Sequence, residues 1–98
     1  MLVKIHKSYR DVVAICDSEL LGKKFQQGKL QIDLNGEFFN GEEKSESETL
    51  EIIEDIARED ATFNIVGDKS CRLALKAGII DKKGIKKISG VPVALVLL

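Results

Sequence analysis

Apolar residues in this chain recur first at every second position and later at helical spacing, so its elements can be read in order. Residues 2–6 set Val3 and Ile5 against Lys4 and His6, the pattern of a half-buried strand. A polar turn at residues 7–10 leads to the β-branched run 11–16, expected to return as the partner of a hairpin. Val12, Ala14 and Cys16 fall on one face of that run and Val13 and Ile15 on the other, so it reads as buried on both sides. Asp17 or Ser18 is placed to cap a short helix striped by Leu20, Leu21 and Phe25, with Gly28 closing the turn after it. Leu30, Ile32 and Leu34 alternate with Gln31, Asp33 and Asn35 as a third strand, ended by the turn pair Asn35-Gly36. Phe38 and Phe39 follow in a connector and are expected to plug the core.

The strongest helix signal comes next. Ser45 and Glu48 have capping-box spacing, and Leu50, Ile53, Ile56 and Ala57 form an apolar stripe that ends near Glu59. Residues 62–66 predict a short strand entering Gly67. Asp68 or Ser70 can then cap a second helix with Cys71, Ala74 and Leu75 inward and Gly78 at its C-terminal end. A turn at residues 81–84, a lysine-flanked strand at 85–88 and the turn Ser89-Gly90 precede residues 91–98. That last run is the most apolar in the chain and is expected to be a central strand, with Pro92 at its start. The sum is a compact single α+β domain over residues 1–98. It has a mixed sheet of about five to six short strands, two main helices and one short helix.

Charge changes the picture more than composition does. Residues 42–60 carry nine carboxylates against Lys44 and Arg58, a net of −7. The rest of the chain carries 13 Lys or Arg against seven Asp or Glu, a net of +6, and the two sums give the overall −1. Near-neutrality thus conceals an acidic segment beside a basic body, and basic clusters attract polyanions whatever the total charge. Two such clusters are readable: Lys4, Lys7, Arg10, Lys23 and Lys24, and then Lys82, Lys83, Lys86 and Lys87. Either can meet a phosphate backbone or simply guard an exposed sheet edge. The acidic helix face, with Glu51, Asp55 and Glu59, is the corresponding surface for a basic protein partner.

Candidate chemistry is sparse. His6 is the only histidine, and no local spacing gives it a nucleophile or an orienting carboxylate. Cys16 and Cys71 with one His fall short of a zinc ligand set, so both cysteines are expected to be reduced, buried thiols. No cofactor or metal is expected, and a catalytic role is disfavoured. The strand, glycine turn and helix start at residues 64–70 place Asn64, Asp68, Lys69 and Ser70 together but lack the spacing of a phosphate loop. No apolar run reaches the roughly 20 residues of a membrane helix, which points to a cytoplasmic protein, monomeric or dimeric, that does not engage a membrane.

Several segments resemble a known family. Val3-Lys4-Ile5-His6 and the stretch Val13-Ala14-Ile15-Cys16-Asp17-Ser18-Glu19-Leu20-Leu21-Gly22-Lys23-Lys24-Phe25 are similar to the small archaeal family catalogued as domain of unknown function 424. So are Phe38-Phe39-Asn40-Gly41-Glu42, the segment from Asn64 to Ser70, and Gly90-Val91-Pro92. The resemblance implies archaeal origin, one α+β domain and no assigned activity. Its segments mark His6, Asp17, Lys23, Lys24, Asn64, Asp68, Lys69 and Ser70 as candidate binding residues, and the basic cluster adds Lys4 and Arg10; the basic body makes RNA or a ribonucleoprotein the expected partner. The other readings are an adaptor using the acidic helix and a small enzyme or metabolite binder with Asp17, Lys24, Asn64 and Ser70 around a pocket.

Overall fold

The two alternating runs at the start pair as expected, β1 (Leu2–His6) antiparallel to β2 (Asp11–Cys16), in a computed structural model that describes residues 1–97. Four further strands extend this hairpin into one mixed sheet. They are β5 (Glu42–Glu43), β6 (Ala61–Val66), β7 (Lys86–Ile88) and β8 (Val91–Leu97), and the order is β5-β1-β2-β6-β8-β7. Among the described residues only β2 and β6 run parallel. Their crossover is long enough to carry helix α1 (Glu46–Ile56), and α2 (Asp68–Ala77) follows β6 on the same face.

Registers across the sheet sort its side chains into two faces. Val3, Ile15, Ile65 and Ala94 form one row under the helices, and Ile5, Val13, Phe63 and Val96 form the next. These rows, apart from the exposed Ile5 at the sheet edge, combine with Ile53, Cys71, Leu73 and Ala74 from the helices in the larger core. Phe63, Ile65 and Val13 are fully buried there, and burying each contributes about 1.5–3 kcal/mol. On the opposite face Ala14, Cys16 and Val66 pack against Leu34 and Phe39 in a second, smaller core.

That second core is covered by an element the sequence pattern does not reveal. The short helix expected after Asp17 is only a 3-10 turn at Ser18–Leu20. Leu21 is already extended and Gly22 has φ 85°, so the chain leaves the helical path. Phe25 instead sits in β3 (Lys24–Gln27), which pairs with β4 (Leu30–Asp33) around Gly28-Lys29 in a separate two-stranded sheet. Phe25 and Ile32 face each other and both pack onto the second core. Ser89 locks this hairpin to the β7–β8 turn: its N–H donates to Gln27 Oε1 at 2.8 Å and its hydroxyl to the Gln26 carbonyl at 2.6 Å. Ser89 and Gly90 both have positive φ (50° and 82°), as a type I′ hairpin turn requires.

Other boundaries shift by smaller amounts. Helix α1 stops at Ile56, before Glu59. Phe39 is buried, but Phe38 remains 42% exposed and plugs no core. Strand β8 is flanked by β6 and β7, yet β7 reaches only Val91, Pro92 and Val93, so the central pair of the sheet is β2 and β6. Leu98 lies outside the described residues.

The capping box of α1 forms in full. Glu48 N–H donates to Ser45 Oγ at 3.1 Å and Ser45 N–H to Glu48 Oε1 at 2.9 Å. The bond from the Ser45 backbone holds the Glu48 carboxyl below its ordinary pKa. A carboxyl depressed in the folded state adds stability above its unfolded pKa and loses it as pH falls through the folded one. The stability gap between the natural chain and Glu48→Gln is therefore expected to close on acidification below the ordinary glutamate range. Thermal melts across a pH series measure it.

Candidate functional site

Asp17 is a buried carboxylate held by three hydrogen bonds. It follows β2, is only 4% exposed, and reaches the N-terminal end of α2 across the top of the parallel pair. Its carboxylate accepts hydrogen bonds from Lys69 N–H (3.1 Å), Ser70 N–H (2.8 Å) and Ser70 Oγ–H (2.7 Å). The residue at the helix N-cap is Gly67, with φ 113° and no side chain to cap with. A Cβ there would overlap the Asp17 carboxyl group. The free N–H groups and the positive helix end that attract anions are thus filled by the protein's own carboxylate. Neither Asp68 nor Ser70 caps α2 as the sequence suggests. Asp68 is exposed, and Ser70 serves as a donor to Asp17.

Both cysteines are buried close to the Asp17 charge. Burial pushes both the Cys16 and the Cys71 thiol up to about 11, and the Asp17 charge adds to the shift. Both are free and buried, as the sequence reading expects. At neutral to mildly alkaline pH both are expected to resist a thiol-reactive dye in the folded protein and to react fully in denaturant. Titration with the dye under both conditions checks this.

The other candidate residues divide between two places. Strand registers set His6, Val12, Thr62 and Leu97 in one cross-strand row, and Lys4, Ala14, Asn64 and Leu95 in the adjacent row. Both rows lie on the sheet face opposite the helices, beside the region under the β3–β4 hairpin. Lys4, His6 and Asn64 therefore share a surface although 58 residues separate His6 from Asn64. His6 is not a freely solvated side chain. Its ring stacks on Phe38 with centroids 4.7 Å apart and planes 13° apart, and Nε2 donates to the Phe38 carbonyl at 3.0 Å. Lys4 Nζ donates to the Glu37 carbonyl at 2.8 Å, so the loop at residues 37–41 is pinned to β1. Gly41 allows that approach, since a Cβ would overlap the Val3 carbonyl.

At the far end of the same face, Leu95 and Leu97 are 63% and 70% exposed. Leu30 at the hairpin tip is also exposed, and with Leu95, Val93, Ile88, Gly84 and Lys86 it lines a groove of about 310 Å³. Sequence reading misses Leu95 and Leu97 because an unbroken apolar run looks like a buried strand. The alternation of Ala94 and Val96 with two leucines is visible, but nothing local says which face is open.

The two basic clusters are regrouped by the fold. Lys7 pairs with Asp11 at 3.2 Å, Arg10 with Asp60 at 3.8 Å and Lys4 with Glu37 at 3.7 Å. Lys23 and Lys24 do not join them. They belong with the β3–β4 hairpin, which packs against β7; its Leu30 shares a groove with Lys86 and with Gly84, the last residue of the 3-10 turn that carries Lys82 and Lys83. Lys29 at the hairpin tip completes this end. Counted over residues 23–33 and 81–87, these seven lysines stand against Asp33 and Asp81, a net of +5; Asp68 borders Lys87 from α2, and none of the seven is in an ion pair among the described residues. Asp33 and Asp81 each accept a backbone N–H instead, from Asn35 and Gly84. Lys87 lies opposite Pro92 and borders Arg72 on the helix side, whereas Lys86 lies opposite Val93 and points to the open face. The acidic helix α1 is on the other face of the sheet, where Ile52 borders Val3 and Ile5 of β1.

Asp17, Lys24, Asn64 and Ser70 do not surround a pocket. Asp17 and Ser70 meet in the helix cap, Lys24 is exposed on β3, and Asn64 lies on the middle of β6.

A family model described as protein of unknown function (DUF424) matches residues 6–98. The chain belongs to the DUF424 family. A crystal structure of an uncharacterized conserved protein from Methanopyrus kandleri, an archaeon, superposes with a TM-score of 0.87 at 22% identity. The match covers 98% of this chain and 89% of that one. At that identity the likeness establishes the fold, mixed sheet, hairpin and two helices together. No curated protein matches the chain. Among the described residues no helix is long and apolar enough to cross a membrane.

Proposed function

We propose that this DUF424 chain is a non-enzymatic binding module that meets RNA through the lysine-rich end of its open sheet face. One observation carries the reading: the lysines of the β3–β4 hairpin and Lys86 of β7 lie at one end of the sheet face opposite the acidic helix, and none is in an ion pair among the described residues. A surface ion pair contributes little to stability, so its absence costs the fold little. Clustered like charges do repel one another, however, and a polyanion relieves that repulsion while releasing its own counterions. The anionic helix on the other face orients the molecule by repelling the same ligand.

The alternative use of lysines, guarding a sheet edge, accounts for Lys86 and Lys87 on β7. It does not account for Lys29 or for Lys82 and Lys83, which lie in a hairpin turn and a 3-10 turn. Binding of a structured RNA across a salt titration tests the proposal. Four or more phosphate contacts give a log–log slope of about −3 or steeper. Absence of binding at low salt, or binding indifferent to salt, would refute it.

A further inference from the structure

Resting on that reading, we infer that the RNA is single-stranded and that one of its bases is seated on the open face over Leu95, with its edge against the Asn64 amide. Lysines alone do not favour this ligand. A duplex presents phosphates more densely than a single strand, so a purely electrostatic surface binds it at least as well. What lies beside the lysines decides the matter.

Leu95 projects from the sheet at 63% exposure, next to the Leu30–Lys86 groove, whose volume of about 310 Å³ sits at the lower end of the about 300–1,000 Å³ typical of ligand sites. Asn64 is its neighbour in the same cross-strand row. The Asn64 side chain, half-buried in mid-sheet, makes no hydrogen bond among the described residues, so its amide has both a donor and an acceptor to offer. Lys86 points to the same face, opposite Val93, and Lys29 adjoins Leu30 in the hairpin. An apolar floor, an uncommitted amide and flanking ammonium groups match a flat base, its polar edge and the adjoining phosphates. Bases in a duplex are stacked and paired, and they cannot reach such a floor; unstacked bases can.

The test compares equilibrium binding of the intact protein to an oligouridylate of about twelve nucleotides and to an RNA duplex of the same length. The single strand is expected to bind about tenfold more tightly, the scale of one apolar contact and one hydrogen bond, with Asn64→Ala and Leu95→Thr each abolishing most of that preference while leaving duplex binding unchanged. Leu95 is exposed and threonine suits a strand, and melting curves confirm that the Asn64→Ala chain is folded. The unmodified protein supplies an independent reading through its Leu95 methyl signals, which should shift with the single strand and not with the duplex. Equal or tighter duplex binding, or variants that weaken both ligands alike, would overturn the single-strand inference and leave the basic-end reading standing. Binding of neither ligand would overturn both.

Discussion

Alanine at Asp17 is expected to destabilise the fold by about 3 kcal/mol, lowering the melting temperature by roughly 12–24 °C for a domain of this size. The carboxylate is nearly inaccessible and accepts from two backbone N–H groups and one hydroxyl. Removing it leaves buried donors at the start of α2 with no acceptor and a positive helix end with no counter-charge. The link from β2 to α2 is lost at the same stroke, because Asp17 and Ser70 are 53 residues apart in sequence. Gly67→Ala is also expected to destabilise strongly, through its φ of 113° and its overlap with the same carboxyl group. The two substitutions should be coupled: the double variant should lose less than the sum of the singles, because the overlap disappears with the carboxylate. Strict additivity in calorimetry would mean that Gly67 is required for its backbone conformation alone.

Charge reversal at Lys82, Lys83 and Lys86 is expected to reduce RNA affinity by about a hundredfold at moderate salt and to flatten the salt slope by about 2–3. The same reversal at Lys7 and Arg10 should do much less. Those two side chains already face Asp11 and Asp60, and a polyanion gains little from ammonium or guanidinium groups that are partly neutralised. Anisotropy titrations of both variants, with melting curves to confirm folding, separate a local basic site from a general charge effect. Equal losses at the two places would show that net charge alone governs binding.

The sequence made the helix-side architecture legible because each of its signals is local. Val3 and Ile5, the Ser45–Glu48 box and the Gly78 terminator act within a few residues, and each is found as read. The β3 strand was not legible, since Phe25 is its only apolar residue and Leu20 and Leu21 before it suggest a helical stripe. What settles its conformation is the contact of Phe25 with Ile32 and the Ser89 clamp, neither of which is local. The α2 cap was misplaced for a similar reason: Asp68 and Ser70 are the nearby candidates, and the residue that caps lies in another element. On the open face, sequence supplied Lys4, His6 and Asn64. The registers were needed to align Asn64 with Leu95, and the packing of the hairpin on β7 to move Lys23 and Lys24 to the other basic cluster.

Amide and methyl chemical-shift mapping of the protein during an RNA titration tests the location of the ligand most directly. The changes should concentrate on β3 and β4, on residues 82–88 and on Asn64 and Leu95, while the exposed face of α1 stays silent. Changes centred on Glu51, Asp55 and Glu59, or on the β1–β2 turn, would contradict a ligand site at the lysine-rich end of the open sheet.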